Sequence, residues 1–181
     1  MVYLSEYGLY KHLEDRGLNL SLHRVFLADD EGAVATFPLY NLSGNLVGLQ
    51  QYRPFASKEP NNKWYGRYFT RVHYGNVAAW GMESWSLSNT LFICEGLFDA
   101  AKITGLGFSA LSVFSNDLSD AMKNWLWTVR KYRKVVALCD SDTVGLKLSK
   151  YAHEYYQVSK EYHDVGGMPL ELVYDVCSKH K

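Results

Sequence analysis

The apolar positions of this chain change their period part-way along it. Leu4, Tyr7, Leu9, Tyr10 and Leu13 recur near helical spacing and Gly17 follows as a stop, so residues 1–20 predict a short packing helix. Residues 24–52 are β-branched and aromatic runs broken by two turn signals, Asp29-Asp30-Glu31-Gly32 and Asn41-Leu42-Ser43-Gly44-Asn45, which predicts a three-stranded antiparallel meander. Residues 53–75 lose this regularity and read as an exposed loop rich in Pro, Asn, Gly, aromatic and basic residues. From residue 90 onward, short apolar runs alternate with helical patterns. Thr90–Cys94, Ser109–Phe114, Val135–Cys139 and a short Gln157–Ser159 predict strands. Helices are expected over 97–110, 118–134, 143–157 and Pro169–Lys179. In the second, Leu118, Met122, Trp125, Leu126 and Val129 share one face. In the third, Val144, Leu148, Tyr151, Ala152 and Tyr155 face inward. Strands alternating with helices predict an α/β fold, a parallel sheet with helices on both faces. A smaller α+β subdomain with an antiparallel sheet precedes it, with the division expected at 1–88 and 89–181.

Composition sharpens this picture only a little. The 181 residues are 48% hydrophobic and 15% aromatic, enough for a sizeable core and unlike a disordered chain. The formal net charge is zero, so no global basic field advertises nucleic acid and local patches must carry that case. Cys94, Cys139 and Cys177 are widely spaced, and the first two end apolar runs, which predicts buried free thiols rather than zinc ligands or disulfides. There is no basic-apolar signal segment and no apolar run of membrane-spanning length, so a soluble cytoplasmic protein without a membrane partner is expected.

The candidate chemistry sits at the ends of two of the predicted strands. Thr90–Cys94 runs into Glu95 and Gly96, and Val135–Cys139 runs into Asp140, Ser141 and Asp142, with Gly145 following. Two such strands lying in parallel side by side put Glu95, Asp140 and Asp142 at one carboxyl edge, where open α/β sheets place their sites. Carboxylates crowded there repel unless a proton or cation intervenes, and Mg²⁺ (or Mn²⁺) suits an all-oxygen set that also admits water and phosphate. Asp99, one turn into the next helix, reads as a cap for free N–H groups. The basic run Arg130-Lys131-Tyr132-Arg133-Lys134 reads as cations opposing a helix dipole. In residues 53–71, Arg53, Lys58, Lys63, Arg67 and Arg71 against Glu59 leave a local excess of four positive charges. They interleave with Trp64, Tyr65, Tyr68 and Phe69. Cations that neutralise phosphates and aromatic faces that stack on bases are what single-stranded nucleic acid binding uses.

The pair of motifs, E-G-x-x-D-A after one strand and D-x-D-x-x-G after another some 45 residues on, resembles the TOPRIM domain of primases, topoisomerases and several nucleases. The likeness covers about Leu91 to Tyr174. It extends more loosely through FPLYNLSGNLVGLQQYRP, KWYGRYFTR and VAAWGMES to the segment that precedes TOPRIM in bacterial and phage DNA primases of the DnaG type. The resemblance implies that Glu95 is the catalytic acid or base, that Asp140 and Asp142 bind metal, and that Asp164 matches a further family acidic position. It also implies that Arg53 and Lys63 line a basic groove for template and nucleotide; Arg67 and Arg71 have composition alone behind them. The chain departs from the pattern at Asn41 in place of an acid, at Ser115-Asn116 in place of glycine, and at His163 in place of lysine.

The activity implied is Mg²⁺-dependent nucleotidyl transfer: RNA primer synthesis from ribonucleotides on a single-stranded DNA template, in the replication of a phage or mobile element, with a helicase or other replication proteins as partners. Two alternatives use the same residues. A TOPRIM metal-dependent nuclease would use water as the attacking group on DNA or RNA. A non-catalytic nucleic-acid-binding or replication-regulatory protein would not need Glu95. Within these residues there is no zinc-ribbon cysteine set, no Walker A loop and nothing resembling a topoisomerase tyrosine domain.

Overall fold

A computed structural model describes residues 6–28, 33–59, 61–115 and 117–181 of the chain. The turn expected at 29–32 and the Asn116 position lie outside them. Helix α1 (Glu6–Asp15) ends before Gly17, whose φ of +85° only glycine adopts without strain. It buries Leu9 and Leu13. Four strands follow, β1 (Phe26–Ala28), β2 (Val34–Tyr40), β3 (Leu46–Tyr52) and β4 (Tyr68–Val72), and they form one antiparallel sheet in sequence order. The alternation in β2 sends Ala35, Phe37 and Leu39 into the core. Pro38 is accommodated because β1 pairs only with residues 34–36, so the missing N–H costs no ladder bond on that side.

The three-stranded meander expected over 24–52 is present as β1 to β3, and β4 extends it to four strands, so part of the expected 53–75 loop is strand. Leu49 pairs with Arg71 and Tyr52 with Tyr68. An edge strand with charged and aromatic side chains facing water lacks the apolar alternation that marks a strand in sequence.

The second sheet is parallel, in order β6-β5-β7-β8, from β5 (Thr90–Cys94), β6 (Ser109–Ser112), β7 (Lys134–Cys139) and β8 (Glu154–Gln157). Every residue of β5 is buried, as a central strand covered on both faces requires. Helices α2 (Leu97–Gly105) and α4 (Leu170–Lys179) contribute to the core on one face, with Phe92, Cys94, Val136 and Leu138. Helix α3 (Asp120–Val129) covers the other with Met122 and Leu126, against Leu91, Ile93, Val135 and Ala137. Each fully buried Leu or Phe here stabilises the fold by roughly 1.5–3 kcal/mol. Ser119 caps α3 by accepting from Met122 N at 3.3 Å.

One predicted helix is absent. Residues 143–157 form a 3-10 stretch, Gly145–Tyr151, followed directly by β8. Leu148 and Ala152 are buried as expected, but Val144 and Tyr155 face solvent. Val135 N donates to the His153 ring and Ala137 pairs with Tyr155, so the sheet takes the residues that a third helical turn needed. The last strand accordingly lies three residues earlier than expected. Within the basic run after α3, Arg133 acts differently from expectation. Arg133 donates to the carbonyls of Trp85, Ser88 and Asn89, fastening the preceding loop rather than its own helix end.

The two sheets are joined by consecutive residues. Ala79 forms an antiparallel bridge with Tyr40 of β2, and Trp80 one with Ser112 of β6. A shared core containing Leu13, Phe37, Tyr52, Phe98 and Val136 continues across the join. The three cysteines are buried free thiols. Burial pushes Cys139 up to about 11 and Cys177 to about 12, so neither is a ready nucleophile. No described helix is long and apolar enough to cross a membrane.

Candidate active site

Glu95 leaves β5 and Asp140 leaves β7, adjacent parallel strands with Leu91 opposite Val135 and Ile93 opposite Ala137. Both carboxylates therefore emerge at one edge of the sheet. The Glu95 backbone is fixed there: its carbonyl accepts from Ser112 Oγ at 2.7 Å and from Phe114 N at 3.1 Å. Gly145 packs against Asp140 so closely that a Cβ would lie 2.8 Å from Asp140 N and 2.9 Å from its carbonyl oxygen. The D-x-D-x-x-G spacing thus has a steric reason, since the loop must fold back onto its own first residue.

Asp164 reaches the same place from the far end of the chain. It caps the turn Val165–Gly167, accepting from Gly167 N at 2.7 Å. Ser141 N donates to the carbonyl of His163 at 2.8 Å, tying this segment to the loop after β7. His163 itself has φ +66° and an exposed side chain. Asp99 is buried at the start of α2, where its two oxygens accept from Gly96 N at 3.1 Å and Gly166 N at 2.7 Å. A Cβ on Gly96 would overlap the Asp99 carboxylate, which accounts for the glycine of the E-G pair.

These carboxylates act on one another. Burial pushes Asp140 up to about 6, and the charges of Glu95, Asp164 and Asp142 push in the same direction. Burial raises Asp99 to about 7, reinforced by Asp164 and Asp140 and opposed by its two backbone hydrogen bonds. Asp140 Oδ1 is buried without a hydrogen-bond partner.

A cleft of about 610 Å³ gathers the acids and a second set of side chains that includes the cations Arg16, Lys58 and Arg67. Glu95, Asp99, Asp140 and Asp164 line it from the parallel sheet and its turns. From α1 and the antiparallel sheet come His12, Arg16, Gln50, Tyr52, Tyr68 and Thr70, with Lys58 and Arg67 from the connection between β3 and β4. Arg16 stacks over the Phe98 ring at 3.7 Å and donates to Tyr68 Oη at 3.2 Å. His12 is hydrogen-bonded to Tyr52 Oη at 2.9 Å.

Of the eight site residues expected from sequence, Glu95, Asp140, Asp164 and Arg67 line the cleft. Asp142 lies just outside it, exposed, with Oδ1 accepting from Gly145 N at 2.6 Å. Arg53 donates to Gln51 Oε1 and Arg71 projects to solvent from β4; neither is among the lining residues. Lys63 begins a 3-10 turn, and its side chain lies outside the described residues. Trp64 and Phe69 stack at 4.5 Å; Trp64 and Tyr65 are largely exposed and Tyr68 partly so. His12, Arg16, Tyr52 and Asp99 were not expected as cleft residues. The available signal was the His12–Arg16 pair, one turn apart beside the buried Leu9–Leu13 stripe.

Among the described residues no three His, Cys, Asp or Glu side chains close into a ready-made metal cage. The donors nonetheless suit a hard divalent cation: all are carboxylate oxygens, and the orphaned Asp140 Oδ1 calls for a cation or a proton. An open set of this kind fits Mg²⁺, which is bound by one or two carboxylates and completes its shell with water and phosphate.

No family model and no curated protein matches the chain. Solved structures do. The DnaG primase catalytic domain bound to ssDNA superposes with a TM-score of 0.69 at 12% identity, over 94% of this chain and 72% of that one. The E. coli primase catalytic core gives 0.64 at 12% identity, over 94% and 71%. The primase fragment of the bacteriophage T7 primase-helicase protein gives 0.62 at 14% identity, over 92% and 72%. With its antiparallel sheet, its parallel β6-β5-β7-β8 sheet and the cleft between their side chains, the chain has the fold of a DnaG-type primase catalytic core.

Proposed function

We propose that this chain catalyses divalent-metal-dependent nucleotidyl transfer, joining ribonucleotides into an RNA primer on a single-stranded DNA template. One observation carries the reading: an acidic sheet edge and a cationic, aromatic wall line a single cleft. That pairing serves phosphoryl transfer, in which catalysis is mostly positioning and charge neutralisation.

Asp140, Glu95 and Asp164 are the residues that would hold Mg²⁺ or Mn²⁺, with Asp142 supporting the loop through Gly145. When bound, the ion neutralises charge on the phosphate oxygens. The 3′-hydroxyl oxygen attacks the α-phosphorus, the bond to the pyrophosphate oxygen breaks, and the hydroxyl proton passes to Glu95. Glu95 suits this role because its backbone carbonyl is held by two hydrogen bonds while its side chain reaches the cleft. Lys58, Arg67 and Arg16 offset phosphate charge from the opposite wall, and the exposed Trp64, Tyr65 and Tyr68 offer stacking faces to template bases. The T7 relative is a fragment of a primase-helicase protein. By extension, a helicase is the proposed partner, in phage or mobile-element replication in a bacterial cytoplasm, with 1–88 carrying the basic wall and 89–181 the acids.

The test combines the chain, labelled ribonucleotides, single-stranded templates and Mg²⁺ or Mn²⁺. Oligoribonucleotides are expected from the wild type and none from Glu95→Gln. A wild type that makes no product on any template sinks the proposal. Cleavage of nucleic acid in Mg²⁺ without nucleotides would assign the same carboxylates to a nuclease instead.

A further inference from the structure

Lys102 stands on α2 three residues after Asp99 and is only 8% exposed. Its ammonium donates to the carbonyl of Gly166 at 2.6 Å and to that of Met168 at 2.7 Å. Both carbonyls follow Asp164 in the turn that Asp164 caps. Gly166 is thus held at both its polar groups, its N–H by Asp99 and its carbonyl by Lys102. The stem of Lys102 is enclosed as well: a Cβ on Gly17 would lie 2.9 Å from Lys102 Cα.

An ammonium in such a place costs desolvation that a Met of similar length would not. The structure accounts for the charge through the turn. Two charge-assisted hydrogen bonds to carbonyls are of the strong kind, and they fix backbone that Gly166 and Gly167, having no Cβ, leave conformationally permissive. Turn geometry in turn fixes where the Asp164 carboxylate sits relative to Asp140.

We propose that Lys102 is a positioning residue that locks the 164–168 turn and so holds the Asp164 carboxylate at the cleft for a divalent cation. The inference rests on the carboxylate site of the proposed function, and it concerns the site rather than the reaction run there.

Mn²⁺ titration of the whole chain, followed by electron paramagnetic resonance well below the unfolding temperature, tests it. The set is wild type, Lys102→Met, Asp164→Asn and the double variant, with circular dichroism as the check on folding. Lys102→Met is expected to weaken Mn²⁺ binding by about tenfold, the scale seen when groups that orient metal ligands are removed. The double variant is expected to bind no more weakly than Asp164→Asn alone, because Lys102 acts through Asp164. Lys102→Arg, which keeps a cationic donor, is expected to retain more affinity than Lys102→Met. A purely structural lysine would lower the unfolding midpoint yet leave Mn²⁺ affinity within twofold, or its loss would add to that of Asp164→Asn; either result overturns the inference. If Lys102→Met does not fold, Lys102→Gln takes its place under the same criteria. A wild type that binds Mn²⁺ but makes no primer overturns the reaction and leaves this inference standing. Primer synthesis with Mn²⁺ affinity indifferent to Lys102 does the reverse, and a wild type that binds no Mn²⁺ overturns both.

Discussion

Asp99 accepts a hydrogen bond at 2.7 Å from the backbone N–H of Gly166, 67 residues further along the chain. With its second oxygen on Gly96 N, this one carboxylate links the turn after β5, which carries Glu95, to the turn that carries Asp164. Replacing it strands two backbone donors. Asp99→Ala is expected to destabilise the fold by about 1–3 kcal/mol, the cost of buried polar groups left unpaired. Urea unfolding, with the slope checked for two-state behaviour, measures it.

Asp140 behaves oppositely. Its Oδ1 is buried without a partner, and Glu95, Asp164 and Asp142 all oppose its charge. Asp140→Asn is expected to abolish primer synthesis and Mn²⁺ binding while leaving the unfolding midpoint of the metal-free protein unchanged or higher, as sites strained for function commonly do. A clear fall in that midpoint would show the carboxylate to be structural.

The raised pKa values set a pH dependence. Asp140 is pushed up to about 6 and Asp99 to about 7, above an ordinary aspartate near 4. Between those values the folded chain keeps protons that the unfolded chain has released. The stability these groups confer is therefore present below about pH 4 and is lost as pH rises through about 6 to 7. Thermal unfolding of the metal-free protein is expected to show this decline, Mn²⁺ to offset it at the upper end, and Asp140→Asn to flatten it. Metal binding and activity are expected to run the other way, rising through about pH 6 as Asp140 ionises.

Gly145 admits no side chain, because a Cβ would lie 2.8 Å from Asp140 N. Gly145→Ala is expected to cost about 1–3 kcal/mol, as overpacking does. Mn²⁺ affinity is expected to fall with it, since the backbone that must shift bears the candidate ligand. Calorimetry and Mn²⁺ titration on the same sample separate the two effects.

The basic residues divide by position. Lys58 and Arg67 line the cleft, whereas Arg71 points to solvent from β4. Lys58→Ala and Arg67→Ala are each expected to weaken single-stranded DNA binding and to lower the slope of log affinity against log salt by roughly one. Arg71→Ala is expected to leave that slope unchanged. Fluorescence anisotropy over a salt series reads all three.

The apolar runs Thr90–Cys94 and Val135–Cys139 determined by themselves that two buried strands exist and that each ends in acids, because strands covered on both faces must be continuously apolar. Sequence likewise marked Gly145, whose spacing from Asp140 follows from a loop folding back on itself. It misread 143–157, where helical periodicity yielded to the hydrogen bonds of a sheet edge, and it missed β4, whose outward charges hide its strand character. Only the tertiary structure decided which cations share the cleft: α1 brings in Arg16, and the β3–β4 connection brings Lys58 and Arg67, while Arg53 and Arg71 stay outside its lining. The reason is physical. Strand and turn chemistry act between near neighbours in sequence and leave a local trace. The meeting of Asp99 and Lys102 with a turn some 65 residues away is set by packing, which no local pattern records.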